Sequence, residues 1–157
     1  MAPPITTGDQ LIEVTLSLST DAYTSGDVLA ATQVVTNAVR EHGCAILQSL
    51  AILDTDDQGL AMDIVFLRSD TAIGTENAAL NIADAAADEI LTVVEVAAGD
   101  WVDLVNSQIA IKKNGDSGMG AVLKPTTGDH LYIAAIARGA PTHTAAGIII
   151  KIGLLRS

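Results

Sequence analysis

Apolar and polar residues alternate near the start of the chain. Over residues 11–18, Ile12, Val14, Leu16 and Leu18 fall on one side, and Glu13, Thr15 and Ser17 on the other. That two-residue period predicts a half-buried strand. Residues 28–39 are apolar and β-branched, with Thr32, Thr36 and Asn37 interspersed, and read as a second strand. Residues 44–53 and 61–68 follow, separated by a polar loop from Asp54 to Gly59, and the pair reads as a β-hairpin. Strands are also predicted over residues 92–97, 108–113 and 120–123, while residues 101–105 are ambiguous by pattern. The last third repeats the theme: a β-rich run over 129–139, a loop punctuated by Gly139, Pro141 and Gly147, and a final apolar run over 148–155. That final run is expected to be a strand sewn into the fold. Helix is expected once, near residues 84–91, with Asp84 as its N-cap. Residues 1–10 form a Pro/Thr/Gly arm and residues 11–157 one domain. The fold class expected is all-β: an antiparallel β-sandwich, jelly-roll-like, with one short helix.

Composition sharpens this picture. Apolar residues make up 49% of the 157 residues, but aromatic ones only 3%. Phe66, Trp101, Tyr23 and Tyr132 are the whole aromatic set, so the core must be built from Val, Ile, Leu and Ala. Small side chains bury modest area each, and contacts between copies would add to it, a first sign of oligomerisation. With 19 acidic against 8 basic residues the formal net charge is −11. Such a surface disfavours nucleic acid and anionic membranes, which need clustered cations. No apolar stretch is long enough to span a membrane as a helix. Residues 1–8 carry neither a basic nor an apolar leader segment, so synthesis and retention in the cytoplasm are expected. The single cysteine, Cys44, lies in an apolar run and reads as a small buried hydrophobe.

Candidate chemistry is thin. Gly115-Asp116-Ser117-Gly118 matches the tetrapeptide around a chymotrypsin-type nucleophile. The histidine context of that family is missing at His42, so Ser117 is expected to be an inert turn residue. The stretch from Asp54 to Gly59 opens like an EF-hand loop, with Asp54, Asp56 and Gly59 in place. Position twelve falls on Val65 instead of a bidentate glutamate, which leaves an acidic turn as the main reading and a loose divalent site as the alternative. His42, His130 and His143 are too dispersed for a zinc set. No phosphate loop, dinucleotide fingerprint or nucleophile elbow occurs. The expectation is no enzyme, no metal and no cofactor. Trp101 reads as a core or subunit-contact anchor.

Three stretches together carry a resemblance: Asp21-Ala-Tyr-Thr-Ser-Gly-Asp27 leading into an apolar strand, Ile82-Ala-Asp-Ala85, and residues 131–155 with the loop Arg138-Gly-Ala-Pro-Thr-His-Thr-Ala-Ala-Gly147. From about Asp21 onward the chain resembles the head decoration, or cement, proteins of tailed bacteriophages. The resemblance implies a structural protein on the outer capsid surface, made in the host cytoplasm, bound to the major capsid protein and often trimeric, so a homotrimer is expected. The arm residues Pro3, Pro4 and Ile5, together with Trp101, Arg138, Pro141 and His143, are the expected contacts with neighbouring copies or the capsid. The rival reading is a carbohydrate- or receptor-binding β-sandwich, which would want aromatic platforms for sugar stacking.

Overall fold

The computed structural model describes residues 8–157. Ten strands follow in order: β1 (Gly8–Thr15), β2 (Val28–Val35), β3 (Ala45–Asp54), β4 (Met62–Leu67), β5 (Ile90–Val96), β6 (Trp101–Asp103), β7 (Gln108–Lys113), β8 (Val122–Leu123), β9 (Leu131–Ala137) and β10 (Ile148–Arg156). One sheet runs β1-β10-β3-β7-β6, with β8 also paired to β3; the other runs β2-β9-β4-β5. Every ladder between these strands is antiparallel. Each sheet interleaves early strands with one late strand, β10 in the first and β9 in the second. Set aside the short β6 and β8, and four strands face four in the order of a jelly roll.

The alternation that marks β1 continues beyond its last ladder residue: Val14, Leu16 and Leu18 are buried while Glu13, Thr15 and Ser17 are exposed. The shared core is mostly aliphatic, with Leu29, Leu47, Leu50, Ile52 and Ile64 fully buried around the equally buried Phe66. A second apolar layer lies on the far side of the β2-β9-β4-β5 sheet. There Val28, Val65, Leu67, Ile73, Ala134 and Ile136 pack with Leu80, Ile82 and Ile90. The long connection between β4 and β5 thus clothes the outside of that sheet. It explains why all six residues of β4 are buried.

Residues 44–68 do not form the hairpin that the sequence suggests. β3 and β4 belong to different sheets, and the Asp54–Gly59 segment crosses between them. A polar loop of that length serves either connection, and β4, buried on both faces, demands a place within a covered sheet. The helix is shorter than expected: α1 (Asp84–Ala87) has Ala83 at its N-cap and no side-chain cap, so Asp84 is its first helical residue instead. Arg68 secures this end by pairing with Asp88 at 2.7 Å and Glu89 at 3.0 Å.

Two side chains stand in for missing backbone partners. The Tyr23 hydroxyl donates to the Leu29 carbonyl at 2.9 Å and accepts the Ser19 N–H at 2.7 Å, fixing the turn before β2. Burial first of all pushes its pKa up to about 12. At the outer edge of β1 the Gln33 side chain acts as a fragment of a missing strand. Its amide nitrogen donates to Thr15 O at 2.9 Å and its oxygen accepts Ser17 N–H at 3.1 Å. It covers only the C-terminal end of an edge strand whose backbone would otherwise accept further pairing.

Candidate functional site

Two features stand out: a polar clasp at one end of the sandwich, and the outward face of the β1-β10-β3-β7-β6 sheet.

The clasp joins the β3–β4 crossing to the β9–β10 loop. Asp54, last residue of β3, is completely buried. Its Oδ1 accepts the Asp56 N–H at 3.0 Å, and its Oδ2 accepts the Gln58 and Gly59 N–H groups, each at 2.9 Å. Asp56 then reaches across. Its Oδ2 accepts the Thr144 N–H at 2.8 Å and faces His143 Nδ1 at 3.2 Å, while Thr144 Oγ1 donates to Oδ1 at 2.9 Å. Thr55 adds its N–H and hydroxyl to the Gly147 carbonyl, at 2.9 and 3.0 Å. Burial alone would push the Asp56 carboxyl up. The Thr144 backbone and hydroxyl hydrogen bonds, with His143, more than offset that and hold it below the usual aspartate range. The clasp therefore stabilises the fold above the unfolded aspartate value of about 3.9, and that contribution is lost as pH falls through the lower folded value.

Asp54, Asp56 and His143 bring three possible ligand atoms within 4.8 Å of one another. The chemistry is nonetheless that of a turn. The carboxylate oxygens are already engaged by backbone N–H and hydroxyl donors. The position expected to supply a bidentate glutamate, Val65, is a fully buried core residue of β4. His143 is 3% exposed and its Nε2 has no hydrogen-bond partner. The tautomer that satisfies this geometry carries its proton on Nδ1, toward Asp56.

Among the described residues no nucleophile–base pair is assembled around Ser117, which is exposed in the turn after β7. Each histidine is occupied elsewhere: His42 beside Glu41, His130 at the Asn37 N–H and beside Asp129, and His143 in the clasp. A fluorophosphonate probe is expected to leave Ser117 unlabelled under conditions that label a serine hydrolase completely. Labelling at that residue would restore the hydrolase reading.

The other feature is apolar. Along β10, Ile148, Ile150, Ile152 and Leu154 point into the core, while Ile149, Lys151, Gly153 and Leu155 point away. Leu155 lies opposite Ile46, which lies opposite Val122; Ile149 lies opposite Leu53, which lies opposite Ile109. Leu11, Val102, Ile111, Val122 and Leu155 are exposed. Shallow grooves flank Leu155, one walled by Leu11, Ser49 and Gly153, the other by Ile46 and Val122.

Of the residues singled out for contacts, Pro3, Pro4 and Ile5 lie outside the described residues. Trp101 is half-buried against the core, and its Nε1 donates to Leu60 O at 3.2 Å. Pro141 is buried and its carbonyl accepts the Tyr23 N–H at 2.9 Å. His143 is in the clasp. Arg138 keeps a side chain 45% exposed and pairs through Nε with Asp63 at 2.7 Å. Sequence reasoning passed over the apolar sheet face and the partners of Asp54 and Asp56. The signal for the face was present in Ile148-Ile149-Ile150, where neighbouring positions that point to opposite sides are equally apolar.

No protein-family model matches the chain, and no curated protein matches it. Among solved structures it is similar to one of Desmodium yellow mottle tymovirus, with 11% identity over 98% of this chain and 90% of that chain and a TM-score of 0.29. It is also similar to the extra small virus (XSV) VLP of the giant freshwater prawn Macrobrachium rosenbergii, with 14% identity over 99% and 87% of the two chains and a TM-score of 0.28. A structure of infectious bursal disease virus, Gx strain, follows at 13% identity over 93% and 39%, with a TM-score of 0.24. The three are virus or virus-like-particle structures, and at these scores the likeness leaves function to the features of this chain.

Proposed function

We propose that the protein is a structural virion component: a decoration or cement protein held on the outer surface of a tailed-phage capsid. The observation that carries the reading is the division of the described residues into one sheet clothed by its own chain and one sheet left apolar and bare. That is the construction of a part made to be covered by neighbours. The polar clusters, meanwhile, are consumed in holding loops together. The resemblance over residues 21–155 supplies the particle type and the threefold state. The net charge of −11 favours the outside of a shell over contact with packaged DNA. The N-terminal arm, through residues 1–8, and the loop from Arg138 to Gly147 are its contacts with the major capsid protein.

The carbohydrate-binding alternative loses its chemical basis in the burial pattern. Phe66 and Tyr23 are buried, and Trp101 and Tyr132 are half-buried, so none of the four aromatic rings offers an open platform for sugar stacking. The test is to mix purified protein with capsids that lack it and sediment them at low and moderate salt. Co-sedimentation at both is expected, because exposed ion pairs contribute only about 0–1 kcal/mol each and salt weakens only those. Failure to co-sediment at either salt, or a location inside the shell by electron microscopy, would sink the reading.

A further inference from the structure

We infer that the outward face of the β1-β10-β3-β7-β6 sheet is the surface by which copies of this chain join one another. It starts from the same apolar sheet as the virion reading but concerns the free protein, so the two can fail separately. It rests on an asymmetry in exposure. Eight large apolar side chains are exposed among the described residues, and seven lie on this sheet or on the hairpin that joins β6 to β7. Val34, on β2, is the exception. The opposite sheet has its outside covered by the β4–β5 connection. This one has no such layer among the described residues.

Charge selects a second copy as the occupant. Each molecule carries a net −11, so two copies repel wherever acidic surfaces meet. The outward positions of β1, β10, β3 and β7 escape that excess. From Gln10 onward they hold Glu13, Lys113 and Lys151, the exposed Asp103 of the β6–β7 hairpin balances the count, and Glu13 lies directly opposite Lys151 on the neighbouring strand. Like-charged copies can approach here without a net penalty. The size is adequate too. Five strands about 4.8 Å apart and roughly seven residues long at ~3.3 Å each cover on the order of 550 Å² per copy. Each copy that gives such a face to its neighbours contributes that area, so two copies account for on the order of 1,100 Å², at the low end of specific interfaces.

The β6–β7 hairpin adds an independent sign. Val105 sits at its tip with φ of 80° and 79% exposure. Asp103 Oδ1 caps its N–H at 2.7 Å. A β-branched residue in the left-handed region is strained, and an exposed one gains nothing within its own molecule from being apolar. Asparagine would suit that backbone better. Retaining valine makes sense where a neighbouring copy covers the side chain, together with Leu104 beside it.

Analytical ultracentrifugation across the micromolar range tests this. The wild-type protein is expected to sediment as a multiple of 16.1 kDa. The double variant Leu11→Glu/Ile111→Glu should weaken association by about tenfold or more, with its thermal midpoint little changed. Val34→Glu, on the other sheet, should leave association intact. Val105→Asn should weaken association while leaving the dissociated protein as stable or more so, a pairing of signs that damage to the fold would not produce. A wild-type protein that stays monomeric would overturn the inference. So would an oligomer dissociated by Val34→Glu and not by the face variants. If a monomeric full chain associates once residues 1–7 are removed, the face belongs to the arm; if face variants of a monomer lose capsid binding, it belongs to the shell. Either result also overturns the proposal.

Discussion

Replacing Asp54 by alanine should destabilise the protein by roughly 3–5 kcal/mol, the largest loss expected from any single polar side chain here. The carboxylate is fully buried and accepts three backbone N–H groups, those of Asp56, Gln58 and Gly59. Alanine leaves all three without a partner where water does not reach them freely. Each unsatisfied buried donor costs about 1–3 kcal/mol. At about 2–4 °C per kcal/mol for a chain of this size, the thermal midpoint should fall by about 10 °C. Asp54→Asn keeps the shape and one acceptor oxygen but turns an NH2 group toward N–H donors, so an intermediate loss is expected. Calorimetry of both variants at neutral pH checks the order. A midpoint within about 2 °C of wild type for Asp54→Ala would mean that the crossing loop finds other partners and that the clasp is dispensable.

Gly118→Ala should be comparably harmful for a different reason. Gly118 has φ of 81°, and a β-carbon there would be driven onto the Val93 carbonyl oxygen, with the carbonyl carbon only 2.7 Å away. The obstacle is backbone in β5, which cannot rotate aside as a side chain can. Thr92 Oγ1 also donates to Gly118 O at 2.7 Å, so the loop after β7 is tied at the point of contact. The left-handed backbone alone costs about 1–2 kcal/mol for a residue with a β-carbon, and displacing the loop brings the total to roughly 3–5 kcal/mol. Gly115 supplies the control. It has φ of 103° with nothing within 4 Å of the place an alanine methyl would take, so Gly115→Ala should show the conformational cost alone. Equal losses in the two variants would show that the close approach to β5 contributes nothing.

The strand runs were legible in the sequence because burial on one side leaves a two-residue period, as in Glu13-Val14-Thr15-Leu16. Turns were legible where glycine or an acidic cluster interrupts the apolar runs, as at Asp54–Gly59 and Gly115–Gly118. The sheet to which each strand belongs was not legible. β3 and β4 are adjacent in sequence and separated in space, and nothing local distinguishes a hairpin loop from a crossing of the same length. The outer apolar face was hidden for a related reason. On β10, and over Ile109-Ala110-Ile111 of β7, both sides of the strand are apolar, so the pattern resembles a strand buried on both faces, as β4 is, and only the tertiary structure shows that β4 has a covering layer while this face has none among the described residues. The clasp depended on residues 87 positions apart, Asp56 and His143, and no short motif marks such a pair.

The central strands of both sheets come late in the chain. β9 separates β2 from β4, and β10 separates β1 from β3. While the protein is being synthesised, the strands before β9 can pair only as β4 with β5, β3 with β7 and β8, and β7 with β6. β1 has no partner until residues 148–156 have been made, because Gly8 through Thr15 align only with β10. Ribosomes add about 5–20 residues per second, and sheets of this non-local kind form in milliseconds to seconds. Folding therefore falls near or after the completion of β10, and a nascent chain stopped short of it would leave half-built sheets for proteases to remove. Quality control is in this way written into the strand order: a copy missing its final strand cannot complete the surface that a finished copy presents.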